Sequence, residues 1–185
     1  MSQEFVRRTT APSQTNKYYI KTTYGGYNRC ILINKDTGSV LPNCVGYAWG
    51  RFCEEQNIHD CKLSRGNAEN WYGYNDGYAR GQTPKLGAVI CWHSTRSGGH
   101  VAIVEKIYSN GMILTSNSAY NGSRFYKKTL HPPQYFMGSS YDFQGFIYPD
   151  IEFTDPDTPV PPVVTPKKSR FPWVLYSRKL RNNRK

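Results

Sequence analysis

Between residues 43 and 56 the apolar positions recur every three to four residues. Val45, Ala48, Trp49, Phe52 and Cys53 fall at i, i+3, i+4, i+7 and i+8, one face of an α-helix. The spacing predicts a helix from Cys44 to about Gln56, with Pro42 as a stop before it and Asn43 as its N-cap. A second short helix is expected over Asn67–Tyr72. After Pro84 the period changes to two. Ala88–Trp92, His100–Tyr108 and Met112–Asn117 read as three strands, and a fourth lies around Phe143–Tyr148. Ser94–Gly99 joins the first two, and Ser109-Asn110-Gly111 joins the next two with the Asn-Gly of a tight hairpin. Upstream, Tyr18–Ile33 is a Tyr-rich, strand-like entry broken at Gly25-Gly26, and Asn34–Ser39 is a turn. A helix followed by antiparallel strands makes an α+β domain.

The ends of the chain have a different character. Residues 1–15 are polar and read as an arm, 16–153 as the domain. The stretch 154–166 holds five prolines in thirteen residues and reads as an extended spacer. Residues 167–185 form a basic, aromatic tail too short to be a domain. The net charge of +11 follows the same division. Eight basic residues and no acid lie in the tail, which leaves 16 basic against 13 acidic residues in the body. A surface for nucleic acid is therefore not expected. The 15 Tyr and 4 Trp carry the apolar surface of an aromatic-rich domain with a concave binding face. The first sixteen residues contain no apolar leader, and no run approaches 18 apolar residues. The expectation is synthesis in a cytoplasm, where thiols stay reduced.

Cysteines stand at 30, 44, 53, 61 and 91, with no CxxC and no zinc-ligand spacing. Cys53 and Cys61 are placed to pair only under oxidation. Cys44 differs from the others because it opens the helix, where the dipole and free N–H groups favour a thiolate. Cys53 and Cys91 read as small buried hydrophobes. A thiolate nucleophile needs a base. Of His59, His93, His100 and His131, His100 follows Ser97-Gly98-Gly99 and opens the most hydrophobic strand, a rigid place for an imidazole. A third group should orient that ring. Asn117 ends the strand hairpinned to the His100 strand, so it returns beside His100. Glu105 is the next candidate for this role.

Around these residues the segments Leu41–Phe52 (LPNCVGYAWGRF), Gly66–Trp71 (GNAENW), Pro84–Trp92 (PKLGAVICW), Gly99–Glu105 (GHVAIVE) and Ile113–Asn117 (ILTSN) stand in order. Together they resemble CHAP domains, the cysteine, histidine-dependent amidohydrolases/peptidases of phage lysins and bacterial wall enzymes. The resemblance covers about residues 16–150. It implies a papain-like α+β fold, with the helix carrying Cys44 packed on the sheet carrying His100, and cleavage of peptidoglycan amide bonds. Many members have a Glu, and two residues later an Asn, where this chain has Asn117 and Ala119. The triad expected here is thus Cys44, His100 and Asn117. The backbone N–H of Cys44 and the Asn43 side chain would receive the oxyanion. Some members carry a calcium loop of alternating aspartates, whereas Asp36 stands alone, so neither metal nor cofactor is expected.

Trp71, Tyr72, Trp92 and Tyr120 are the expected groove-lining aromatics, and Trp49 is expected in the core by its helical spacing. The reaction is amide cleavage, as an N-acetylmuramoyl-L-alanine amidase or a cross-bridge endopeptidase. Three roles compete: a free phage endolysin, a virion tail-associated wall hydrolase, and a catalytically silent wall-binding module. The tail, with Phe171–Tyr176 between basic flanks, is expected to meet anionic wall polymers, a membrane surface or a virion protein.

Overall fold

The computed structural model describes residues 2–13, 15–19, 32–33, 40–41, 43–119 and 125–157, with the backbone alone at 32–33 and 40–41. The helix α1 spans Cys44–Glu55. Asn43, extended at φ −74° and ψ −175°, caps it by accepting the Gly46 N–H at 2.8 Å. The expected apolar face is buried, but so are Tyr47, Gly50, Arg51 and Glu55. The helix is covered on more than one side. Tyr19 explains part of this. A Cβ on Gly50 would lie 2.3 Å from its ring, so only glycine lets the ring lie there.

The strands in chain order are β1 (Gln3–Glu4), β2 (Leu32–Ile33), β3 (Val40–Leu41), β4 (Arg80–Gly81), β5 (Val89–Ser94), β6 (His100–Ile107), β7 (Ile113–Asn117), β8 (Tyr126–Leu130), β9 (Tyr141–Ile147) and β10 (Phe153–Thr154). Six of them form one antiparallel sheet in the order β4-β9-β5-β6-β7-β8. The helix lies against one face, chiefly across β6. Val45, Ala48, Trp49 and Phe52 pack there with Val89, Cys91, Val101 and Ile103. The alternate residues Ile90, Trp92, Ala102 and Val104 form a second core with Leu130, Tyr135 and Phe146. The two-residue period places each set on its own face. The α+β layout expected from the pattern is the layout of the molecule, with the helix carrying Cys44 against the sheet carrying His100.

Three differences from the sequence reading have physical causes. The second helix is a single 3-10 turn over Ala68–Asn70. Strand β8, YKKTL, was not anticipated, because its lysines hide the alternation. It lies at the sheet edge, where charged side chains can face water. The residues expected as a free arm are docked. β1 pairs in parallel with β10, and Phe5, 1 % exposed, meets Phe153 edge-on at 4.9 Å. Arg7 pairs with Asp155 and Asp157, and Lys106 also holds Asp157. The folded unit therefore includes residues 3–8 and continues through Asp157, past the expected start of the spacer at 154. β2 and β3 pair antiparallel around the expected turn 34–39, which itself lies outside the described residues. The rest of the spacer and the whole basic tail also lie outside them.

Candidate active site

Cys44 is the first residue of α1 and the one half-buried thiol among the described cysteines. Cys53, Cys61 and Cys91 are buried. Its sulfur is within hydrogen-bonding reach of the backbone N–H of Val101, which places it at the start of β6 beside His100. Burial pushes the thiol pKa up. The N–H groups of Val101, Val45 and Cys44 itself pull it back, but desolvation is the larger effect. This corrects the expectation of a thiolate favoured by the helix terminus. The N–H groups are where the sequence implied, yet the sulfur is too dry for them to prevail.

His100 is 5 % exposed and opens β6. The preceding Gly99 has φ +78°, and a Cβ there would lie 2.5 Å from the Glu69 nitrogen. Gly98 carbonyl accepts the Glu69 N–H at 2.9 Å, so the 97–99 loop is fastened to the 68–70 turn. The imidazole lies between two aromatics. Trp92, its cross-strand partner, is 5.7 Å away ring to ring, and Tyr141 stands edge-on at 6.2 Å. Its Nε2 is 3.1 Å from Asn117 Oδ1. β7 runs back along β6 with Ser116 opposite Ile103, which brings Asn117 to the start of β6. Burial lowers the imidazole pKa to about 4. The Asn117 hydrogen bond opposes this shift and the charge of Lys128 adds to it.

Cys44 and His100 line one cleft of about 470 Å³, together with Asn43, Asn67, Ser97 and Tyr141 among others. Two other hollows lie away from both residues, one beneath the N-terminal segment and one beside Tyr148. Asn43 is at the cleft, but its Oδ1 is committed to the cap, so only its amide N–H₂ end is of the right sign for an oxyanion.

The groove aromatics need correction. Trp71 and Trp92 are wholly buried, with their indole N–H groups on the carbonyls of Gly66 (3.2 Å) and Tyr135 (3.0 Å). Trp71 belongs to the core under α1, and Trp92 backs His100 from within the sheet. Trp49, expected in the core, is there. Tyr72 is half-buried over Gly145, bonded to Gln82, and not at the cleft. Tyr120 lies outside the described residues. Tyr141, which the sequence reading did not single out, lines the cleft. It sits where a strand starts without clear alternation, so only the fold brings it near His100. Glu105 is not an orienting group for His100. Its carboxylate accepts from Arg51 Nε and Nη2 (both 3.0 Å), Ser116 Oγ (2.7 Å) and the Arg8 N–H (2.8 Å). Among the described residues no cluster of His, Cys, Asp and Glu is arranged to hold a metal ion. Asp36 lies outside them.

This arrangement offers a thiol at a helix start, an imidazole held by an amide and a row of helix N–H groups in one cleft. These are the parts of nucleophilic attack on an acyl carbon. Among solved structures, the chain is similar to an N-acetylmuramoyl-L-alanine amidase from Staphylococcus aureus, at 25% identity and a TM-score of 0.44. That match covers 56% of this chain and 30% of the amidase chain, so this chain spans less than a third of it. No curated protein matches. The CHAP domain family model matches residues 34–119, the stretch that holds Cys44, His100 and Asn117. Residues 34–119, a little under half of the chain, are therefore similar to a CHAP domain.

Proposed function

We propose that this protein is a peptidoglycan hydrolase that cleaves an amide bond of the bacterial wall through a thioester on Cys44. The observation that carries the reading is the placement of Cys44 and His100 in one cleft, with the imidazole tied to Asn117. The family match to residues 34–119 supports the class of reaction.

The mechanism follows from the protonation states that burial imposes. The thiol is raised and the imidazole lowered, so the resting pair is neutral. When a wall amide enters the cleft, His100 takes the Cys44 proton as sulfur attacks the carbonyl carbon. The developing oxyanion lies at the helix start, where the Cys44 backbone N–H and the Asn43 amide receive it. His100 then gives its proton to the leaving amine, the C–N bond breaks and a thioester remains. A water deprotonated by His100 attacks the thioester, releasing the carboxylate and restoring the thiol. Asn117 accepts the Nε2 hydrogen throughout and so holds the ring in place.

The reading extends to a phage lysin that acts on the wall of its host, with the basic tail as its contact to anionic wall polymers. Digestion of purified walls, followed by identification of the newly exposed amino and muramic-acid ends, tests it. New α-amino groups on L-alanine identify an amidase, and new ends within the cross-bridge identify an endopeptidase. Walls that release neither contradict the proposed function. Mass spectrometry of purified virions separates a free lysin from a tail-associated one.

A further inference from the structure

An amide is an ambiguous partner for an imidazole. Its oxygen end accepts from a ring N–H, while its nitrogen end donates to a ring lone pair. The two orientations therefore hold opposite tautomers of His100. If Asn117 Oδ1 faces Nε2, that nitrogen carries the hydrogen and Nδ1 keeps the lone pair that must take the Cys44 proton. If the amide is reversed, Nε2 supplies the lone pair, Nδ1 carries the hydrogen, and the base is lost.

The structure contains a group that decides between them. Thr115 lies two residues before Asn117 in β7, on the same face of the strand, and is completely buried. Its Oγ1 is 2.9 Å from the Lys128 carbonyl oxygen on β8, the residue opposite it in the sheet. A carbonyl only accepts, so the single Thr115 hydroxyl hydrogen goes there. Toward Asn117 the hydroxyl can then only accept, and Asn117 Nδ2 donates to it at 2.9 Å. The amide nitrogen is thus fixed toward Thr115 and the oxygen toward His100 Nε2, 3.1 Å away.

We infer that Thr115 is a positioning residue for the reaction, selecting the His100 tautomer through the orientation of the Asn117 amide. The inference rests on the proposed Cys44–His100 chemistry. The relay starts from a backbone carbonyl, so it has a fixed polarity: Lys128 C=O accepts from Thr115, Thr115 accepts from Asn117, and Asn117 accepts from His100. A carboxylate at position 117 would accept at both oxygens and would not need it.

The test compares full-length wild type, Thr115→Val, Thr115→Ser and Cys44→Ala on soluble wall fragments. It also records the His100 side chain by ¹⁵N-correlated NMR. Wild type should show the Nε2–H tautomer. Thr115→Val, which keeps the shape and loses the acceptor, should admit the Nδ1–H tautomer. Its kcat should fall at least about tenfold with KM within about twofold, compared with the roughly 10⁴-fold loss when a Ser-His-Asp triad is held in the wrong tautomer. Thr115→Ser should restore both. In an Asn117→Asp background, Thr115→Val should change kcat by less than about twofold. An Nδ1–H tautomer in the wild type overturns the inference without any variant. So does a folded Thr115→Val protein with wild-type turnover, or one whose loss Thr115→Ser fails to recover. Activity retained by Cys44→Ala would instead remove the proposed function beneath it.

Discussion

Arg51 and Glu105 meet at two points, Nε to Oε1 and Nη2 to Oε2, each 3.0 Å, and neither side chain is more than 4 % exposed. Glu105 is the extra residue of a bulge in β6, since Val104 pairs with Thr115 and Lys106 with Leu114. The bulge turns its carboxylate toward α1, where Arg51 waits one helical turn before Glu55. Arg51 also reaches the Val6 carbonyl and Glu54, while Arg8 donates its backbone N–H to Glu105. One buried pair thus joins helix, sheet and N-terminal segment.

Removing one partner of such a pair leaves the other buried and uncompensated. Glu105→Ala should lower stability by about 3–5 kcal/mol. Urea unfolding of the variant measures this. The outcome against the account is a loss under about 1 kcal/mol, which would mean that water reaches Arg51 freely.

Glu55 is the opposite case. It is 6 % exposed, and neither carboxylate oxygen has a hydrogen-bond partner. Burial raises its pKa well above the ordinary carboxylate value, with Glu105, Glu54 and Cys53 adding to the rise and Arg51 opposing it. A folded-state pKa above the unfolded one means that the native state binds the extra proton. Its contribution to stability is therefore full below the unfolded value of about 4.3 and is lost as pH rises toward the folded one. Glu55→Gln should be more stable than wild type at pH 8 and should flatten that decline. Thermal unfolding of both proteins from pH 5 to pH 8 checks it, and parallel curves would contradict the burial argument.

The helix and the strands β5, β6, β7 and β9 were legible because each rests on periodicity. Cys44 and His100 were legible because a helix start and a glycine-flanked strand start leave local marks. The electrostatic state of Cys44 was not. A helix N-terminus reads as activating in a sequence, whereas the competing desolvation comes from burial of the sulfur in the folded molecule. The groove was misread for a similar reason. Trp71 and Trp92 have the composition of ligand contacts, but their indole nitrogens found carbonyls inside the fold. The docked N-terminus escaped notice because Phe5 and Val6 are a short apolar pair in a polar run, and the partner of Phe5, Phe153, is 148 positions away.

Because burial holds the Cys44 thiol neutral, its reactivity should depend on pH. Alkylation by iodoacetamide should accelerate by about tenfold per pH unit through neutral pH, as the thiolate fraction grows. Cys44 should still react before Cys53, Cys61 and Cys91, which are buried. Mass spectrometry of labelled peptides from pH 5 to pH 9 reads both. A rate constant flat across that range would indicate a resting thiolate–imidazolium pair instead.

Asn117→Ala removes the hydrogen bond that opposes the lowering of the His100 pKa and frees the ring to turn. Turnover should fall by tenfold or more with KM little changed, since Asn117 orients the base and holds no substrate. His100→Ala should be the more severe. Steady-state kinetics on soluble wall fragments compares them, and unchanged turnover in Asn117→Ala would give the orienting role to another group.

The central claim is that Cys44 attacks a wall amide. Its most direct measurement is the release of new amino groups from purified bacterial walls by wild type and by Cys44→Ala, with thermal unfolding confirming that the variant is folded. The account predicts steady release by wild type and none above background by Cys44→Ala. Amino groups released by a folded Cys44→Ala protein at the wild-type rate would contradict it.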